Sequence, residues 1–322
     1  MNGNQEPITI EEIRAAAGRI RHVIVRTPLV RLSSDPEDPD IYLKLENLQP
    51  INAFKLRGAA NAVALLSEQE RLQGVWTISA GNAGQGVAYA ARAAGIPCTV
   101  VVIQPASYTK VARMKRLGAT LIHAPFDQCW RAMEERRFPG VQGVFIHPFD
   151  DRDFIAGNGT VALEILEDLP TVRAVVCAVG GGGLIAGIAS ALHAVAPGIA
   201  VWGAEPETAS PLAASLEAGS PQSFSAWQAS FVDGAGGKSV FPSMWARVHQ
   251  LVSGSVVVSL AEVQNAMKLL AENVRVIAEG AGALPVAAAL SGKIGEGPVV
   301  AVVSGGNIDL ATFCELIGPH AG

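Results

Sequence analysis

The chain has 322 residues, of which 49% are hydrophobic and only 6% aromatic, and a net charge of 24 − 29 = −5. That length suits one large or two ordinary domains. The mild acidity, with no basic cluster, excludes a nucleic-acid partner, and no uninterrupted apolar run is long enough to span a bilayer.

The N-terminal residues 1–12 are polar and acidic, unlike a secretory signal. Within them Thr9 stands three residues before Glu12, a capping-box spacing that predicts a helix start. Apolar strand signals follow at 41–45, 75–79, 98–103, 120–123, 143–147, 174–179, 201–204 and 299–303. Alanine-rich helical stretches alternate with them at 59–66, 84–94, 111–117, 159–166 and 260–272. Gly95 and Gly118 read as helix stops, and Ser259 with Glu262 repeats the capping-box spacing. Such alternation predicts an α/β fold with mostly parallel sheets. The block 75–147 holds four strands and three helices, enough for a compact unit, and the chain from Arg152 onward supplies a second sheet. The expected result is two domains with a cleft between them, since open α/β sheets bind ligands beyond the carboxyl ends of their strands. Cys98, Cys129, Cys177 and Cys314 lack metal-ligand spacing. Cys98 and Cys177 lie in apolar runs and read as core residues, which suits a reducing cytoplasm.

Four glycines, Gly180, Gly181, Gly182 and Gly183, separate the apolar run 174–179 from a helical run that opens at Leu184. Backbone N–H groups at such a turn converge on an anion at the positive helix end. No Gly-Lys-Ser/Thr follows, so this is not a P-loop, nor does it match a dinucleotide fingerprint. A turn that only lets the helix pack closely is the other reading. Of seven lysines against 17 arginines, Lys55 stands out, in Asn52-Ala53-Phe54-Lys55-Leu56-Arg57-Gly58. A lysine at a helix start beside an arginine has its charged form disfavoured, and a neutral amine is what Schiff-base chemistry needs. The competing reading is a surface lysine lying over Phe54. Two more polar turns follow apolar strands. Ser79-Ala80-Gly81-Asn82-Ala83-Gly84-Gln85-Gly86 could hold a carboxylate, and Ser304-Gly305-Gly306-Asn307 would aim a hydroxyl into the cleft.

With these segments in this order, the chain resembles the fold-type II pyridoxal-phosphate enzymes of the threonine/serine dehydratase and serine racemase group, from about Ile10 to Asp309. Further segments carry the likeness: Arg26-Thr27-Pro28-Leu29, Lys44-Leu45-Glu46-Asn47-Leu48-Gln49-Pro50, Pro148-Phe149-Asp150-Asp151 and Gly157-Asn158-Gly159-Thr160. The resemblance implies two α/β domains, with residues 1–50 and 150–322 as the cofactor body and 51–149 as a smaller mobile one. It implies pyridoxal 5'-phosphate bound covalently to Lys55, which also shuttles the Cα proton. Phe54 would flank the ring, Asn82 would bond its phenolic oxygen, and Ser304 would face its nitrogen. The glycine run with the Leu184 N–H would cradle the phosphate. Ser79, Ala80, Gly81, Asn82, Ala83 and Gln85 would form the substrate loop, with Glu279 orienting substrate or loop.

The implied activity is ammonia-lyase chemistry, the dehydration and deamination of a β-hydroxy-α-amino acid to a 2-oxo acid. Alternatives are β-replacement of the cysteine-synthase type and a non-catalytic cofactor-binding protein. A homodimer is expected. The group commonly has serine where Ala53 stands, glycine where Asn52 stands and histidine where Ala83 stands. Both alanines are expected to remove polar atoms beside the substrate and to favour a bulkier one, such as a β-aryl serine. Racemases of the group place a serine base where this chain has Ala80, and Ser79 is expected to point the other way, so efficient racemisation is not expected. Glu205 and Ala209 match a cation site of the group, but Pro211 replaces its acid, so no metal is expected. The sequence ends at Gly322 with no appended regulatory domain, so feedback control is not expected.

Overall fold

The computed structural model describes residues 6–35, 37–104, 106 and 108–318. Helix α1 (Ile10–Ile20) opens on the predicted reciprocal cap. Thr9 Oγ1 accepts from the Glu12 N–H at 3.3 Å, and the Glu12 carboxylate accepts from the Thr9 N–H at 2.8 Å. Strands β1 (Leu29–Arg31) and β2 (Ile41–Lys44) pair antiparallel. Helix α2 (Lys55–Ala64) begins on the candidate lysine itself, not a turn later. Next come α3 (Glu68–Gln73), β3 (Val75–Ile78), α4 (Asn82–Ala94), β4 (Cys98–Gln104), α5 (Tyr108–Arg116), β5 (Thr120–Pro125), α6 (Phe126–Glu135) and β6 (Val144–Phe145). The remainder is α7 (Arg152–Asp168), β7 (Ala174–Ala178), α8 (Gly183–Val195), β8 (Ala200–Pro206), α9 (Pro211–Ala218), α10 (Pro242–Val248), β9 (Gly254–Val258), α11 (Leu260–Leu269), α12 (Gly280–Leu290), β10 (Val299–Val302) and α13 (Leu310–Ile317). Helix α11 runs on into a π-helical turn over Leu270–Val274 that ends at Arg275, with φ 61°.

The strands make two sheets, ordered β1-β2-β10-β7-β8-β9 and β5-β4-β3-β6, parallel throughout except for the β1–β2 pair. Both faces of the larger sheet are covered, which explains why β7 reads as an unbroken apolar run. Val176 joins a core with α11, α12 and Phe313 of α13, while Val175 and Cys177 join the opposite core with α1, α7 and α8. Each such fully buried side chain contributes ~1.5–3 kcal/mol.

Three helices are clamped backbone to backbone. A Cβ on Gly157 of α7 would lie 2.4 Å from the Arg57 carbonyl oxygen of α2, and one on Gly187 of α8 would lie 2.6 Å from Gly159 N of α7. No side chain fits at either crossing. The α2–α7 contact is also locked by charge. Arg57 is fully buried and divides its guanidinium between Glu46 (2.7 Å) and Glu164 (2.7 Å). Burial alone would raise the Glu46 carboxyl, but Arg57 holds it below the usual range. Lys44, also fully buried, meets Glu164 at 2.7 Å.

Candidate active site

A cavity of about 370 Å³ lies at the carboxyl ends of β3, β7 and β10. Its wall includes Phe54, Lys55, Ser79, Ala80, Gly81, Asn82, Ala83, all four residues of the glycine run, Leu184, Glu279 and Ser304. The segments are drawn together by backbone bonds. Phe54 N donates to Ser304 O at 3.0 Å, Gly306 N donates to Asn52 O at 2.9 Å, and Ala53 bridges Gly305. Asn52 holds φ 56°, a left-handed conformation that asparagine tolerates better than most residues, so it can stand where the related group has glycine. Its Oδ1 accepts from Arg113 Nη2 at 2.5 Å.

Lys55 Nζ donates to Pro148 O at 2.6 Å and lies 5.1 Å from the Phe54 ring centre and 5.3 Å from that of Phe154. The residue opens onto the cavity, yet its amine is enclosed by apolar rings. Burial pushes it from the usual 10.5 down to about 8. The cause differs from the sequence expectation. Arg57 contributes nothing to the shift, because its guanidinium is turned away into Glu46 and Glu164.

At the opposite end the glycine run enters α8. Gly182 takes φ 85°, and no side chain caps this helix start, so its first N–H groups remain for a ligand. Gly181 faces Phe149 so closely that a Cβ there would sit 2.1 Å from the ring. On the cavity's third side, Asn82 is the first residue of α4, another helix start without a side-chain cap. Asn82 Nδ2 donates to Glu279 Oε1 at 2.5 Å, and its Oδ1 accepts from Asn307 Nδ2 at 2.8 Å. Asn307 Oδ1 in turn accepts from Arg113 Nη1. Burial pushes the Glu279 carboxyl up to about 7 against the opposing Lys110 charge, and its Oε2 has no partner among the described residues. Ser304 Oγ donates to Ala281 O at 3.2 Å.

Some expectations are corrected. Ala53 is fully buried against Ile51 and Leu56 and does not reach the cavity, so it removes nothing from the substrate's surroundings; Ala83 does line it. Ser79 lines the cavity together with Ala80 rather than pointing away, because β3 ends at Ile78 and strand alternation no longer applies. Its Oγ accepts from the Gly81 N–H at 3.0 Å. Gln85 is buried a turn along α4 and lines a neighbouring cavity with Arg113 and Asn307. Glu205 is buried, with both oxygens engaged by the N–H groups of Leu212 and Ala213 and by Ser255 Oγ at 2.7–2.8 Å. Sequence reasoning missed Lys110 and Asp233, which meet at 2.6 Å on the cavity wall. They lie far apart in the chain, and no local signal marks either. It also gave no role to Phe149, although the segment containing it had been singled out.

These groups fit pyridoxal phosphate. The open start of α8 suits a phosphate, the depressed amine suits imine formation, and the open start of α4 suits a substrate carboxylate.

Comparison with known proteins agrees. The family description "Pyridoxal-phosphate dependent enzyme" matches residues 20–305. The chain is 41% identical to an L-threonine ammonia-lyase of Thermotoga maritima, over 96% of this chain and 78% of the relative. It is 39% identical to the catabolic L-threonine dehydratase TdcB of Staphylococcus aureus, over 96% and 92%. The structure of maize serine racemase superposes with a TM-score of 0.86 at 32% identity, covering 98% of both chains. With the family matched over most of the chain and the fold shared at a TM-score of 0.86, this chain belongs to the pyridoxal-phosphate-dependent enzymes of fold type II.

Proposed function

We propose that the chain is an ammonia-lyase that removes water from a β-hydroxy-α-amino acid of the threonine/serine kind, after which the resulting imine takes up water and yields a 2-oxo acid and ammonia. The observation that carries this reading is Lys55: an amine brought down to about 8, facing a cavity with an anion-ready helix start at each end. The relatives at 39–41% identity act on threonine by name.

The bound cofactor supplies an electron sink for the charge left at Cα. The chain's own residues do the rest. Lys55 Nζ, placed by Pro148 O, would hold the cofactor and, when free of it, would take the Cα proton of the substrate. The N–H groups of Asn82 and Ala83 at the α4 start hold the substrate carboxylate, and the Asn82 side chain is kept in place by Glu279 and Asn307. Ser304, whose hydroxyl donates to Ala281 O, would stand by the cofactor's ring nitrogen, where a hydroxyl would not hold a proton as a carboxylate would, and this supports elimination of the β-hydroxyl. With Ala80 in the loop, no side-chain base stands at the position racemases use. Ile78, Ile103, Met133 and Phe149 give the cavity an apolar side, which supports acceptance of a larger group on Cβ, such as an aryl ring.

The reading also takes residues 51–149 as the body carrying the substrate loop and the rest as the cofactor body, with Glu205 held by its own chain rather than by a metal. A cytoplasmic homodimer completes it. The exposed Leu48, Ile277 and Leu310 support the dimer, and among the described residues no helix is long and apolar enough to cross a membrane.

The test is a visible spectrum of the purified protein, then L-threonine, L-serine and L-threo-phenylserine in parallel, each with and without a thiol. Release of 2-oxo acid and ammonia, unchanged by thiol, is expected. A thioether product would move the assignment to β-replacement, and full activity in Lys55→Ala would overturn it.

A further inference from the structure

A second cavity, of about 520 Å³, lies between α6 and the segment 239–243 and shares Met133 with the Lys55 cavity. Its least expected wall residue is His147, which is 1% exposed. His147 Nδ1 accepts the N–H groups of Phe149 (3.3 Å) and Asp150 (2.9 Å). The ring proton therefore sits on Nε2, and that nitrogen is buried with no partner among the described residues. Burial, with the charges of Arg136 and Lys55, pushes the imidazole down to about 3, so it is a neutral donor. An unused buried donor is costly unless a ligand or solvent oxygen meets it.

The other polar groups of the wall are matched unequally. Each carboxylate is engaged on at least one oxygen. Asp150 receives Arg247 on Oδ1 at 3.0 Å and Ser243 on Oδ2 at 2.8 Å, and Glu134 receives the Trp130 indole N–H at 2.9 Å. The donors are not all used. Arg136 spends Nη2 on Asp150, and its half-exposed guanidinium has further N–H groups to give. Trp130 and Phe241, packed edge to face at 5.0 Å, add an apolar wall beside Met133. A wall with spare donors, an Arg136 guanidinium that shares Asp150 with Arg247, and an apolar flank matches an acceptor anion with a short hydrocarbon tail.

We propose that this cavity is a second small-molecule site for a short-chain carboxylate, whose oxygen accepts from His147 Nε2–H while Arg136 balances its charge. The site is separate from the Lys55 chemistry, and its ligand could be either an amino acid or a 2-oxo acid. Both arms are measured on the holoenzyme, labelled with 15N-histidine, using 2-oxobutyrate and L-2-aminobutyrate, which has no β-leaving group. His147→Asn keeps an acceptor for the two N–H groups, removes the Nε2 donor and so assigns its signal. The His147 Nε2–H resonance reports this cavity, and the visible band reports the Lys55 site, so failure of one is distinguishable from failure of the other. A saturable shift of that resonance with either ligand is expected, with the stronger arm identifying the source. Arg136→Gln is expected to weaken that binding by about tenfold or more, the effect of one charge-assisted bond. A resonance unmoved by both ligands at millimolar concentration in the wild-type protein overturns the proposal, even where a variant does not fold. Unchanged affinity in Arg136→Gln overturns the assigned mode.

Discussion

The two ends of the Lys55 cavity are built by opposite means. At the glycine run, the surroundings forbid side chains. Gly181 lies against Phe149, and Gly180 has no room for a Cβ, which would sit 2.8 Å from Gly234 O. At the loop of Ala80 to Ala83, side chains do the building through a relay from Glu279 to Asn82 to Asn307 to Arg113. Exclusion writes itself into consecutive residues, whereas a relay is assembled from positions about 200 apart, such as Asn82 and Glu279 (|i−j| = 197). The first end resists change of any kind; the second can be retuned one bond at a time.

Substitutions can test that contrast. The largest effect is expected where both ends depend on one atom. Lys55→Ala should lower kcat/KM on the order of 10⁴-fold, the upper range for a proton-transfer group, while the protein still binds cofactor non-covalently; steady-state kinetics and the visible spectrum check this. Next, Arg57→Met strips the buried Glu46 of its cation and leaves Glu164 to Lys44 alone, and should cost about 3–5 kcal/mol by denaturant unfolding. At the exclusion end, Gly181→Ala forces Phe149 aside and should cost ~1–3 kcal/mol, visible as weaker cofactor binding by fluorescence titration. At the relay end, Asn307→Ala should cost about 1 kcal/mol and raise KM more than it lowers kcat. Equal losses in Gly181→Ala and Asn307→Ala would erase the contrast.

A pH measurement sharpens it. Glu279 binds its proton more tightly folded, at about 7, than its usual 4.5. The folded apoprotein then holds more protons than the unfolded chain between those values, so stability falls as pH rises from about 4.5 to 7, by at most ~1.4 kcal/mol per unit. Burial raises Glu205 to about 7 as well, so Glu279→Gln should lessen that slope in pH-dependent unfolding by Glu279's own share, and an unaltered slope would show that Glu279 carries none of it.

The same contrast explains what was legible in the sequence. The glycine run and Ser304 follow apolar strands directly, Lys55 stands in a short segment singled out for its charge setting, and all three line one cavity. The caps at Thr9 and Ser259 are three-residue patterns and were also legible. Strand β9 was not, because Gly254-Ser255 at its start hides a short apolar run. Ala53 was misplaced for a different reason. Its neighbour Lys55 faces the cavity, but the left-handed turn at Asn52 sends Ala53 into the core, and only the fold reveals that turn. The Lys110–Asp233 pair joins α5 to a loop 123 residues on, which no local pattern encodes.

The backbone clamp of α2, α7 and α8 has a consequence for time as well as space. Lys55 opens the first of these helices, and the glycine run leads into the last. With no rotamers at the crossings, the stack has no soft coordinate along which to breathe. Its amides at Gly157, Gly159 and Gly187 should therefore exchange with deuterium only through global unfolding. The distance from amine to anion cradle is then a constant of the backbone, kept for as long as the molecule stays folded.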